Sequence, residues 1–173
     1  MNDIPESVHS ANVYTHGVRL LGTTGEVTLP SLEALSETIA GFGILGEYES
    51  PTPGHFGSLE QELEFRTFDE GLFEVIRNED QDGVDLTLRA AQMSRKSTGA
   101  IGLTGLKVIV RGMLKMFGDG TVKQTSPIGT KIKLELLYYK LVVDGKERIE
   151  LDKLNGVYKV NGVDRLAKVR SLT

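Results

Sequence analysis

Three groups of residues have types and spacings that could carry chemistry. Gly41, Gly43 and Gly46 in "GFGILG" fit G-x-G-x-x-G, and Glu60, Glu62 and Glu64 follow about twenty positions on, where a dinucleotide fingerprint keeps its acidic ribose ligand. That fingerprint works because a helix opens within it and offers its N-terminus to the pyrophosphate. Here the chain continues "EYESPTPGHFG", and Pro51, Pro53, Gly54 and Gly57 exclude such a helix. The glycines read instead as an extended segment entering a long exposed loop, and no cofactor is expected. "NEDQDG" sets Asn78, Asp80 and Asp82 at positions one, three and five of a calcium loop, with Gly83 at six. Position twelve is Arg89, a cation where a bidentate Glu is required, so the stretch reads as a polar turn and no metal is expected. Glu60, Glu62 and Glu64 could supply the paired carboxylates of glycoside hydrolysis. Residues two apart on a strand point the same way, however, whereas that reaction needs two carboxylates facing across a substrate. They form an acidic stripe. His9, His16 and His55 are scattered over a terminus, a turn and a loop, and no nucleophile elbow, zinc-protease or phosphate-loop motif occurs. No catalytic residue is expected.

The elements that carry these residues are mostly strands. "VYTHGVRLLG" reads as two short strands around His16-Gly17, and "EVTLP" as another that stops at Pro30. "SLEQELEFRTF" alternates, with Leu59, Leu63 and Phe65 opposite the three glutamates. "VDLTLRAAQM" puts Val84, Leu86, Leu88 and Ala90 on one face; "LKVIVRGMLKMF" puts Leu106, Val108, Val110, Leu114 and Met116 on one face and Lys107, Arg111, Met113 and Lys115 on the other. "KIKLELLYYKLVV" alternates cleanly and then turns apolar on both sides, which predicts a strand entering a region covered on both faces. Asp144-Gly145 is a strong hairpin signal leading into "KERIELD". "DEGLFEVIRNE" is the one clear helix, with Asp69 and Glu70 at its start and Leu72, Phe73, Val75 and Ile76 predicted inward; "VDRLAKVRSL" allows a shorter one.

The chain has 173 residues, 39% hydrophobic and 25% charged, enough for one domain over 1–173 with a real core. It has no cysteine, which removes disulfides, thiolate metal sites and thiol nucleophiles. No run of apolar residues is long enough to span a membrane, and "MNDIPESVHS" lacks the basic flank and apolar core of a signal peptide. Residues 1–11 and about 46–57 are expected to be a flexible arm and an exposed flexible loop, ordered only on assembly. The net charge of -4 conceals an asymmetry: residues 1–86 hold 17 acidic and 3 basic side chains, residues 87–173 hold 7 and 17. Such a split fits a nucleic-acid-binding half, two oppositely charged surfaces that meet, or charges that cancel within the domain.

The segment "YYKLVVDGKERIELDKLNGVYKVNGVDRLAKVRSLT", residues 138–173, resembles the C-terminal end of the major tail tube proteins of contractile-tailed bacteriophages. "NVYTHGVRLLG" followed by "VTLPSLE" is similar to that family's opening hairpin, "LKVIVRG" to its central strand, and "AGFGILG" to its glycine-rich segment. The resemblance implies a β-rich α+β fold: a barrel-like pair of packed antiparallel sheets flanked by one main helix. It further implies a structural subunit, not an enzyme, that forms hexameric rings stacked into the inner tube of a contractile tail. Its implied partners are copies of itself, the sheath, baseplate and tail-terminator proteins, and DNA passing through the lumen without specific binding, in a virion assembled in the bacterial cytoplasm. On this reading Glu60, Glu62 and Glu64 are candidates for the lumen. Lys159, Asn161, Asp164, Arg165 and Leu166 are candidates for the boundary between subunits. Two other functions compete: the tube of a contractile bacteriocin, which passes no DNA, and a nucleic-acid-binding β-barrel. Against the last, Lys107, Arg111 and Lys115 alternate with Ile109 and Met113, not with aromatic stacking platforms.

Overall fold

The computed structural model describes residues 4–23, 25–77 and 83–173. Among these residues thirteen elements follow one another: β1 (Ile4–Thr15), β2 (Val18–Leu20), β3 (Ala34–Ala40), β4 (Glu47–Phe56), β5 (Glu60–Phe65), α1 (Glu70–Arg77), β6 (Val84–Arg95), β7 (Ile101–Gly118), β8 (Thr130–Val143), β9 (Lys146–Asp152), β10 (Val157–Val160), β11 (Val163–Asp164) and α2 (Ala167–Arg170). All named pairings are antiparallel. The main sheet runs β11-β10-β9-β8-β7-β6-β1-β2, with β5 added on β8, and β3-β4 form a separate two-stranded sheet. The β-rich class with one main helix is the one expected.

Local chemistry explains the turns. His16 (φ 44°) and Gly17 (φ 82°) join β1 to β2, and Asp144 (φ 53°) and Gly145 (φ 71°) join β8 to β9. Two consecutive left-handed residues make a turn whose twist matches that of the strands it joins. Asp69 starts α1, its Oδ1 accepting the Leu72 N–H at 2.9 Å. Leu72 and Val75 are fully buried, whereas Phe73, predicted inward, is 52% exposed and stacks on Phe68 at the surface.

The core gathers Leu59, Leu63 and Phe65 of the β5 region, Val84 and Leu86 of β6, Val108 and Val110 of β7, and Ile132, Leu134, Leu136 and Tyr139 of β8. Strand β8 is the branch point. Its first half pairs with β5 (Phe65 opposite Thr130, Glu60 opposite Glu135) and its second half with β9 (Tyr138 opposite Asp152). On its other edge, the register against β7 slips between Arg111–Tyr138 and Gly112–Leu136, which leaves Leu137 as the extra residue of a bulge. Even-numbered residues face inward up to Leu136, and Tyr139 faces inward after it. The run predicted to be covered on both faces is therefore a change of face at a bulge, with Leu141, Val142 and Val143 only half-buried. A second bulge at Lys115 sets Met116 opposite Lys133, on the outer side and not the predicted inner one.

Three further expectations change. "EVTLP" is not a strand; the Thr28 carbonyl there accepts a bond from the buried Gln61 side chain at 2.8 Å. Of residues 1–11, expected as a flexible arm, residues 4–11 pair with β6 as the first part of β1, and 1–3 lie outside the described residues. The segment 46–57, expected as a loop, is mostly strand β4, paired with β3 but exposed along most of its length. Proline was the misleading signal: a two-stranded ribbon is all edge, and edges tolerate its missing N–H.

Candidate assembly surfaces

Strand alternation brings Glu60, Glu62 and Glu64 to the outer side of β5, as expected, but not as a bare acidic stripe. Strand β8 lays Lys131, Lys133 and Glu135 beside them, and β7 adds Lys115. Lys115 Nζ lies 2.6 Å from Glu60 and 3.2 Å from Glu135. Lys131 reaches Glu62 (3.1 Å) and Glu64 (3.7 Å), and Lys133 reaches Glu62 (3.4 Å) and Glu60 (3.9 Å). The hydrogen bond from Lys131 holds the Glu62 carboxyl below its ordinary range. Glu135 is lowered chiefly by the Ser58 hydroxyl, with Lys115 and the Leu59 N–H adding to it. The face is a ladder of alternating charge, close to neutral. Its pairs are partly exposed, so each contributes on the order of 0–1 kcal/mol.

A second charged row crosses five strands. Arg111 of β7 donates to Asp85 of β6 at 3.0 Å and lies 4.6 Å over the Tyr138 ring of β8. The Tyr138 hydroxyl donates to Glu150 of β9 at 2.9 Å, and Lys159 of β10 donates to the other Glu150 oxygen at 2.8 Å. Burial, and then the Glu150 hydrogen bond, push the Tyr138 hydroxyl well above its ordinary value. Lys159 and, after it, Tyr138 draw the Glu150 carboxyl down to about 2 against the opposing effect of burial. A lowered folded-state value means this stabilisation is complete above the unfolded carboxyl's range and disappears as pH falls from about 4.5 towards 2. Glu150→Gln should therefore lower stability by about 2 kcal/mol at pH 7, and the gap to the parent should close over that acid range in urea titrations. A pH-independent gap would show that the charge on Glu150 is not what matters.

Four of the five residues in the C-terminal motif already have partners within the chain. Lys159 is held by Glu150; Asn161 (φ 51°) forms the β10–β11 turn with Gly162, and its Oδ1 accepts from Arg148 at 3.1 Å. Asp164 pairs with Arg170 and accepts the Leu166 N–H at 2.9 Å. Leu166 packs so closely on Gly54 of β4 that a Cβ there would lie 2.6 Å from its Cδ1. Phe56 adds an edge-to-face contact with Tyr158 at 5.1 Å, so the root of the β3–β4 ribbon is docked on the C-terminal unit. Arg165 is different: exposed, with no ion-pair partner among the described residues.

The chain matches the family described as phage tail tube protein FII over residues 5–172. It belongs to that family. A tail tube protein of Escherichia phage P2 is 31% identical over 168 residues, 96% of each chain. A major tail tube protein of Serratia phage KSP20 is 26% identical over 159 residues, 92% of this chain and 90% of that one. This is thus a tail tube structural protein of a phage, a virion component and not an enzyme.

For a tail tube protein, the surfaces that sequence reasoning missed matter most. "GFGILG" is the tip of the β3–β4 ribbon, with Gly43 (φ 91°) and Gly46 (φ 94°) shaping the turn. It displays Phe42 and Leu45 fully in water. Two large apolar side chains among turn glycines were the available signal. His9, His16 and His55 are all exposed, and no cluster of three or more metal-ligating side chains exists among the described residues. "NEDQDG" falls outside the described residues but for Gly83.

Proposed function

We propose that this chain is the repeating subunit of the inner tube of a contractile tail, forming hexameric rings that stack around a lumen through which DNA passes. The observation that carries this reading is the match to tail tube proteins along nearly the whole chain. The surface supports it. Residues 4–12 of β1 have no strand on their outer side among the described residues, because β2 covers only Val13–Thr15. Such an edge calls for a neighbour, and closure in a ring supplies one at every position. The subunit would be made in the host cytoplasm, and its outer surface would meet the sheath, with baseplate and tail-terminator proteins at the tube ends.

The glutamate ladder is assigned to the lumen. A face in which lysines and glutamates alternate offers DNA phosphates neither a strong counter-charge to bind nor a uniform repulsion, which suits passage without adhesion. Arg165 is assigned to a subunit boundary, the one member of the motif with a charge to spare.

Electron microscopy of the purified protein is expected to show rings or tubes. Arg165→Glu should slow polymerisation several-fold at low salt, with unchanged circular dichroism of the monomer, and high salt should narrow the gap, because charge steers encounter and salt screens it. A wild-type rate at both salt concentrations would remove Arg165 from the interface. A protein that stays monomeric at all concentrations would remove the tube reading.

A further inference from the structure

The β3–β4 ribbon has a root in its own domain but nothing to hold its far end. Beyond Leu35 it consists of Ser36–Ala40 paired with Glu47–Pro51, exposed apart from the half-buried Ile39 and Ser50, and no third strand joins it among the described residues. A lone two-stranded ribbon is marginal in water, and this one ends in Phe42 and Leu45, which bury nothing. Its charge is one-sided: residues 31–57 contain four glutamates and no lysine or arginine. Elsewhere on the same chain lies the converse surface. Residues 21–23 and 25–29 and the inner side of the main sheet enclose an open groove of about 640 Å³. Its apolar walls are Val8 and Ala11 of β1, Leu88 and Ala90 of β6, Leu106 of β7, and Leu29; Asn12 and Glu26 also line it. Pockets of roughly 300–1,000 Å³ with apolar walls are the size that takes up compact apolar groups. Arg19, exposed and unpaired among the described residues, stands at its lip.

We infer that the ribbon tip of one copy inserts Phe42 and Leu45 into this groove of another copy, with Arg19 at the lip facing the acidic ribbon. The inference rests on the tube reading and goes further by naming which two surfaces meet. The two patches are different, so the contact is heterologous, and it propagates from copy to copy. Burying two side chains that otherwise stand in water supplies the drive, and Arg19 offers the ribbon glutamates one cation at the entrance.

The chain has no cysteine, so a pair can be introduced cleanly. The double variant Leu45→Cys/Ala90→Cys, assembled under reducing conditions and then mildly oxidised, is expected to convert most of the protein into a ladder of covalent oligomers that collapses on reduction. The control pair Leu45→Cys/Leu103→Cys, whose second residue lies on the opposite side of the same sheet, should give no ladder. Ordered tubes without a ladder would overturn the groove while leaving the tube reading intact. A disulfide closed within one chain, seen as a faster-migrating monomer, would mean that the tip folds into its own groove, and would also overturn it. Neither tubes nor ladder would defeat both.

Discussion

Gly112→Ala is expected to lower the melting temperature by about 10 °C. The residue is buried where β7 passes the bulge in β8, and an added Cβ would overlap the Glu135 carbonyl oxygen and crowd the Leu136 backbone. A side chain in the way can change rotamer; a backbone carbonyl in a ladder cannot. Relief requires opening the pairing that holds the branch point of the sheet together, and overpacking of this kind costs up to about 3 kcal/mol, at roughly 2–4 °C per kcal/mol for a chain of this size. Gly105→Ala in the same strand is the control: its Cβ would meet nothing within 4 Å, so stability should hold or rise slightly. Calorimetry that found the two variants equal would mean that β7 and β8 adjust at Gly112 without loss.

The second large effect is expected at Phe65. It is fully buried at the end of β5, pairs with Thr130, and forms a bridge to Thr23. Phe65→Ala removes a ring from a packed site that several segments enclose, and should cost about 3–5 kcal/mol in urea unfolding. Phe73→Ala removes the same ring from the surface of α1 and should cost less than about 1 kcal/mol. Similar losses for both would contradict the placement of α1, since the sequence alone had put Phe73 inward.

That contrast shows where sequence reading succeeds. The β5 alternation, the acidic start of the helix and the His16-Gly17 and Asp144-Gly145 turns are local facts, written within a few residues of one another, and each appears in the structure as read. Phe73 was harder because helical periodicity fixes a stripe but not its width; only Leu72 and Val75 lie deep in it. The bulges at Leu137 and Lys115 leave no composition signal, since they are set by the partner strand. The candidate site was least legible. The glutamates of β5 were visible, but the lysines that pair with them lie 55 or more residues away, so an apparent acidic stripe became a nearly neutral ladder. Likewise residues 159–166 were recognisable within the C-terminal resemblance, while their intramolecular use by Glu150, Arg148 and Gly54 depends on the folded topology.

The lengths of β7 and β8 have a mechanical meaning. They are the longest strands of the molecule, paired at twelve positions from Leu106–Val143 to Gly118–Lys131, and β6 adds twelve more pairings on the other side of β7. Tension applied along such strands loads all of their hydrogen bonds at once, in shear, so none can fail before its neighbours share the strain. The β3–β4 ribbon pulled from its tip would instead open one pair at a time, like a zipper. The molecule thus combines a stiff spine that resists stretching with a compliant appendage that can be peeled away, and a filament of such units would yield first at its joints, leaving the subunits whole.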